Sequence, residues 1–507
     1  MKKSIHEIIR FLSSSLLLLL SILSYGCSQG NDMTDRIQPW PDNRHYMAWG
    51  DTPVFLLGPA GYHGWTPISR PAEMNFHEQL HRLDKTIREI GSPNVCGFVR
   101  CLPYDPMNHM HDGIVTEVLQ PWLRLDDGRF DLEQFEPAWE KRLRDYLDLA
   151  LSLRIVVSME IWDDWSVTRG AGGAWDPGPE GGWNAHPFNP RNNINYGNDA
   201  LHEHTSECDA PFYNTIPSRS DISVVLDLQK HYVDHLLSII KDYPHIIINI
   251  SNESRANLEW SRFWAGYIRE VVPPTMMIGE MPSTNGVDGG GECETLFSPK
   301  TLITDSHYDY VDISQAISGH EFSGVQRQAI EGSRKVLEYR LAMAESGTIR
   351  PLIVSKDYTR GPDGGTIVFW SRFVGGAASA RFHRPAADHP ESLIGFQHEA
   401  AGHLGQFIAR IPFWLMHPCD DVVNMLPDAA GANVLSDRDS HYVIQLIGGV
   451  HGEKLGVVLP SGKWTVEWID PSSGTELVKY DIDVDSGSQE LEIEGEQHHR
   501  ILYLSRI

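Results

Sequence analysis

Basic residues are in short supply in this chain. Its 507 residues hold 42 Lys and Arg against 68 Asp and Glu, a formal charge of -26, and the basic residues form no long run. That argues against nucleic acid as a partner. It also disfavours polyanionic substrates, unless the site itself is locally basic. Cysteine is scarce as well. Of the six Cys, Cys27 falls in a lipobox-like stretch, and the other five, an odd number with no CxxC pair, argue against both a zinc site and a disulfide framework. Cys96 and Cys101 lie five apart on one expected strand, where odd spacing turns side chains to opposite faces. Neither of the two obvious His clusters has the helical HExxH spacing of a zinc hydrolase. The clusters His109-Met110-His111-Asp112 and His202-Glu203-His204 fall in loops and read as solvated surface, so no metal and no cofactor is expected. No GxSxG elbow occurs in the section from 44 to 420, which argues against an esterase. No repeat at solenoid spacing is present.

The N-terminus carries an export signal. Lys2 and Lys3 precede a Leu-rich run over 11–23, short for a spanning helix and right for a secretory core. It ends in Leu23-Ser24-Tyr25-Gly26-Cys27, which resembles a bacterial lipobox with Cys27 as the lipidated residue. The expectation is a signal peptide over 1–27, a polar tether over 28–43, and a periplasmic or cell-surface lipoprotein held to the membrane by its lipid.

From 44 to 420, short apolar runs alternate with amphipathic helices, which implies a parallel sheet. A hairpin around Gly50-Asp51-Thr52 leads into the first strand. Phe76, Leu80, Leu83, Ile87 and Ile90 repeat at helical spacing, and Gly91 stops that helix. The spacing predicts eight strand–helix units, with the fifth and seventh helices poorly marked, and hence a (β/α)8 TIM barrel. After 421 the helical pattern gives way to close, evenly spaced strands with turn signals such as Pro460-Ser461-Gly462-Lys463. A small all-β sandwich over 421–507 is expected there.

Barrels of this kind place their chemistry at the C-terminal ends of the strands. Those ends carry Trp65; Arg100 and Tyr104; Glu160, Trp162, Asp163, Asp164 and Trp165; Asn252 and Glu253; Glu280; Gln315, His320 and Glu321; Lys356 and Asp357; and Arg381 and His383. Carboxylates, indoles, Arg and amides together suit a polyol with apolar faces. Two carboxyl groups are the minimum for most glycosidic cleavage, one protonated and one ionised. A Gly-, Pro-, Asn- and Trp-rich segment over 163–221 is expected to wall the cleft, with Trp175, Trp183 and Tyr196 as sugar contacts.

The run Ile246-Ile247-Ile248-Asn249-Ile250-Ser251-Asn252-Glu253 resembles the fourth strand of the clan A glycoside hydrolases. The resemblance implies that Glu253 is the catalytic acid/base and that Asn252 binds the hydroxyl beside the anomeric carbon. The stretches 157–163, 189–196 and 375–385 resemble bacterial cellulase-like barrels, and the tail is similar to the sandwich behind apiosidase-type barrels. One departure stands out. Where the clan carries a nucleophilic Glu after strand seven, this chain reads Val354-Ser355-Lys356-Asp357. Asp357, if a shift at the strand end brings it inward, or Glu160, as base in an inverting mechanism, is the second carboxylate, and Lys356 binds an anionic substrate group or forms an ion pair. Trp65, Arg100, Trp162, Asp163, His320, Arg381 and His383 complete the expected substrate-binding set. The implied function is a retaining glycosidase acting on oligo- or polysaccharide of plant, algal or other environmental origin. A non-catalytic glycan-binding lipoprotein is the alternative, motivated by Lys356.

Overall fold

The computed structural model describes residues 35–59, 67–69, 75–104, 118–168, 182–202, 210–283, 297–317, 324–357, 361–383, 392–485 and 487–507. Eight parallel strands carry the first part of the chain. They are β1 (Thr52–Gly58), β2 (Val95–Cys101), β3 (Ile155–Asp163), β4 (Ile246–Asn252), β5 (Ile278–Glu280), β6 (Tyr310–Asp312), β7 (Leu352–Ile353) and β8 (Ser379–Arg381). Each pairs with its successor from β1 through β7, and β8 pairs with β1. Between β7 and β8 the Ala378 N–H donates to the Leu352 carbonyl at 2.8 Å, and Asp357 bridges Phe382. The sheet therefore curls round into a ring. Two short strands, Ile37–Pro39 and Met47–Trp49, lead antiparallel into β1.

The helices outside the ring are α1 (Phe76–Ile90), α2 (Pro137–Ser152), α3 (Ser223–Ile240), α4 (Leu258–Val271), α5 (Pro299–Leu302), α6 (Val325–Ser346), α7 (Gly361–Val374) and α8 (Ser392–Ile408). The ends of α1 follow its sequence. The Asn75 side chain accepts from the Glu78 N–H, and Gly91 takes the left-handed conformation at φ 70°. The two poorly marked helices have physical explanations. α5 is a single turn of four residues. α7 is buried on nearly every side, so its apolar residues have no stripe to form.

The ring interior changes character along its axis. Its N-terminal layers hold Val54, Leu56, Cys96, Phe98, Val156, Ile247, Met277 and Ile353. Its C-terminal layer holds Arg100, Glu160, Asp312 and Arg381, all buried. Gly279 has no side chain because the Tyr310 ring lies across it, where a Cβ would come within 2.5 Å. Cys96 packs inside the ring and Cys101 in the layer between ring and helices, as their odd spacing implied.

Two antiparallel sheets follow. Strands β9 (His417–Cys419), β11 (Gly431–Ser436), β12 (His441–Ile447), β17 (His499–Arg506), β14 (Gly462–Asp470) and β15 (Thr475–Val484) form one, in that order. Strands β10 (Val423–Met425), β13 (Lys454–Leu459) and β16 (Gly487–Glu492) form the other. Leu446, Leu455, Val457, Trp464, Trp468 and Leu502 make a core between them. The larger sheet also shares a core with the helical layer, where Leu435, Val443, Ile501 and Tyr503 meet Phe369, Phe373 and Phe407. Arg410 of the helical layer donates to Glu467 of β14 at 2.8 Å.

Candidate active site

Glu253 follows the last residue of β4 and turns the chain with φ at 50°, a left-handed conformation that costs a residue with a Cβ about 1–2 kcal/mol. Three donors hold its carboxylate. Trp165 Nε1 donates to Oε2 at 2.5 Å, Gln315 Nε2 donates to Oε1 at 3.0 Å, and Lys356 Nζ donates to Oε1. Trp165 lies on a short helix, Asp164–Thr168, that continues β3. The side chain of Glu253 is 11% exposed, against 0% for Glu160 and 2% for Asp357. Burial alone raises its pKa. The Lys356 charge, the hydrogen bonds from Lys356 and Trp165, and the Arg100 charge outweigh burial and bring it down to about 2.

A buried network extends from there. Lys356 Nζ and Arg100 Nη2 both donate to Asn252 Oδ1, Arg100 at 2.7 Å. Arg100 grips Glu160 with two hydrogen bonds, Nε to Oε1 at 2.6 Å and Nη2 to Oε2 at 2.8 Å. On its other side Asn252 Nδ2 donates to Asp163 Oδ1 at 2.6 Å. Asp163 Oδ2 accepts from the Ser166 N–H at 3.0 Å. Burial pushes Asp163 up to about 7. Lys356 is moved down by burial and by Arg100. So Glu253, Asn252, Lys356, Arg100, Glu160 and Asp163, from four strand ends, form one connected unit.

Asp357 stands apart from it. Its Oδ1 accepts from Arg372 of α7, with Nε at 2.8 Å and Nη2 at 2.7 Å, and Arg372 also donates to the Ile317 carbonyl. Adjacent positions at a strand end face opposite ways, so Lys356 turns inward and Asp357 turns to the helical layer. Of the two second carboxylates expected, Glu160 joins the unit around Glu253 and Asp357 does not. Glu280 also faces outward, accepting from Ser261 Oγ at 2.5 Å and from the Ser251 N–H at 3.2 Å.

Trp162 corrects an expectation. By alternation it shares the face of Glu160, yet it is fully buried against Phe188, Phe212, Tyr232, Trp260 and Trp264. The alternation breaks at the end of β3, because the aromatic layer between the ring and α3 and α4 takes up the indole. It is a core residue and presents no face to a sugar. Trp183 is likewise buried, against His186 and Phe212. Among the described residues, the indole that reaches the site is Trp165, which with Gln315 stood among the strand-end residues without any spacing rule to couple it to Glu253. Arg381 is buried and donates from Nη1 to the carbonyls of Ser355 and Phe382, at 2.9 and 3.1 Å. His383 is buried beside it, and its N–H donates to the Asp357 carbonyl. Trp65, His320, Trp175 and Cys27 lie outside the described residues. Among the described residues, no group of His, Cys, Asp and Glu is arranged to hold a metal ion.

No family model matches the chain, and no curated protein matches it. Solved structures do resemble it. One described as a glycoside hydrolase superposes with a TM-score of 0.58 at 12% identity, covering 93% of this chain and 97% of that one. A glycoside hydrolase family 5 structure from Bacteroides vulgatus gives a TM-score of 0.58 at 12% identity, covering 93% of each. Those shares are too large for the ring and its helices alone. The likeness therefore takes in the two antiparallel sheets as well. The fold is one that glycoside hydrolases use.

Proposed function

We propose that the chain is a glycosidase with Glu253 as its acid/base. The observation that carries this reading is Glu253 itself: a carboxylate at the end of β4, in a strained backbone conformation, held by Trp165, Gln315 and Lys356 and still reachable from outside. The fold of the resembling structures supports the class of reaction. Asn252, its oxygen held by two cations, serves as the rigid floor beside Glu253. Glu160 is the second carboxylate, coupled to Glu253 through Arg100, Asn252 and Lys356. Retention of configuration is the expected stereochemistry, and the first anomer released, seen by NMR, checks it. We assign the tail as a β-sandwich packed on the barrel. Cys27 is assigned as a lipid anchor, which labelled palmitate should mark in the wild type and leave unmarked in Cys27→Ala.

The decisive experiment compares wild type with Glu253→Gln on a broad glycan panel. Cleavage by the wild type that Glu253→Gln loses supports the reading. A variant with full activity on every glycan the wild type cleaves ends it. Binding without any product, by both proteins, favours the glycan-binding alternative, for which Lys356 in place of a nucleophile is the motive.

A further inference from the structure

Charge is segregated around the mouth of the ring. The inward-facing ends of β3, β4 and β6 bring Glu160, Asp163, Glu253 and Asp312, whereas β7, β8 and β2 bring Lys356, Arg381 and Arg100. Two of these cations have carboxylates of their own, Arg100 with Glu160 and Lys356 with Glu253. Arg381 has none within ion-pair distance among the described residues. Its guanidinium meets only backbone carbonyls, and its Nε has no partner although the residue is 2% exposed. A buried charge without a direct ion pair is costly to keep, and burial and the Arg100 charge bring Arg381 down to about 9 against the pull of Glu160 and Asp312. The fold nonetheless makes room for it, since a Cβ on Gly58 would lie 2.5 Å from Arg381 Cγ.

Lys356 poses a second problem. Glycosidic cleavage passes through a transition state with positive charge at the anomeric carbon. An ammonium fixed beside Glu253 opposes that charge. It also keeps Glu253 ionised, which stops it from donating a proton. A neutral sugar relieves neither difficulty. A sugar with its own negative group relieves both. The group draws Lys356 away from Glu253, supplies the direct ion pair that Arg381 lacks, and offsets the charge growing at the anomeric carbon.

We propose that the substrate is an anionic sugar, a uronate or a sulfate ester, whose charged group is received by Lys356 and Arg381. This rests on the glycosidase reading and narrows its substrate class. It also fits the whole chain. A surface with a charge of -26 repels polyanions, so an enzyme acting on one needs cations placed in the site itself.

The test uses matched polymers and the purified full chain. Alginate, homogalacturonan and glucuronoxylan are each paired with a carboxyl-reduced twin, and a sulfated galactan with its desulfated twin. The readout is release of reducing ends. The expected result is cleavage of at least one anionic polymer about ten-fold or more faster than its neutral twin, the carboxylate and sulfate arms telling which group is read. Lys356→Met and Arg381→Gln should bring that ratio to within about three-fold of one, mainly through KM. The wild-type ratio needs no variant to fold. A neutral twin cleaved as fast as its anionic partner overturns the inference and leaves the glycosidase standing, provided cleavage needs Glu253. A ratio untouched in both variants overturns the roles given to Lys356 and Arg381. No cleavage of any polymer counts against both readings.

Discussion

Glu253 after β4 and Asp357 after β7 are both carboxylates held by a cation that water hardly reaches, and they sit in opposite environments. Glu253 faces the ring mouth, takes hydrogen bonds from three side chains and has its pKa brought down to about 2 against the pull of burial. Asp357 faces the helical layer, and there burial wins: its pKa is raised despite Arg372. One of its oxygens, Oδ2, is buried without a hydrogen-bond partner. The difference teaches that an ion pair in sequence says little about function. What matters is whether the pair closes on the side where a substrate arrives. Glu253 is partly exposed and joined to five other polar groups at the mouth. Asp357 bridges β7 to β8 through its backbone and ties α7 to the ring through its side chain.

The sharpest way to break this comparison is to neutralise each carboxylate in turn. Glu253→Gln should lower kcat by about 10³-fold or more, within the range for loss of a proton-transferring group, while the protein stays folded. Asp357→Asn should do the reverse. Removing one partner of a fully buried ion pair costs about 3–5 kcal/mol, so its urea midpoint should fall markedly. The folded fraction should keep kcat within about three-fold of wild type. Turnover measured beside urea titration decides both. A catalytic collapse in Asp357→Asn without loss of stability would return Asp357 to the reacting centre.

Much of the ring was legible because its signals are local. Helical spacing in α1, the Gly91 stop and the Ile-rich run of β4 ending in Asn252-Glu253 are written within a few residues. What escaped was set by neighbours far along the chain. Trp162 turned into the aromatic layer because Trp260 and Trp264 are there to receive it, about a hundred residues away. The inward turn of Lys356 and the outward turn of Asp357 follow from the exact end of β7, and strand ends are the least certain thing a pattern reveals. Trp165 and Gln315 find Glu253 only once β3, β4 and β6 stand side by side.

A third carboxylate extends the comparison to pH. Burial pushes Glu280 up to about 8, although Ser261 and the Ser251 and Met281 N–H groups favour its ionised form. Its ordinary value in an unfolded chain is near 4.3. Below that, folded and unfolded chains both hold the proton. As pH climbs toward 8 the unfolded chain releases it and the folded one does not, so stability falls by up to about 1.4 kcal/mol per pH unit. Glu280→Gln has no proton to release. Between pH 5 and pH 8 the urea midpoint of the wild type should therefore drop relative to this variant, with a total difference of about 1–3 kcal/mol. Parallel midpoints across that window would mean that Glu280 is ionised in the fold.

The smallest expected effect separates two indoles three residues apart. Trp165→Phe removes one donor from the Glu253 carboxylate and leaves Lys356 and Gln315 in place. A hydrogen bond to an ionised group favours the ionised form. Its loss must let the Glu253 pKa rise, and a proton donor acts in its protonated form, so the alkaline limb of the kcat/KM profile should move to higher pH. At neutral pH, where Glu253 remains ionised in the free enzyme, the rate should change by less than about ten-fold. Trp162→Phe should leave that limb where it is and lower stability instead, since its indole is buried in the aromatic layer. An alkaline limb that shifts in Trp162→Phe and holds still in Trp165→Phe would show that the ionisation governing catalysis belongs to a group other than Glu253.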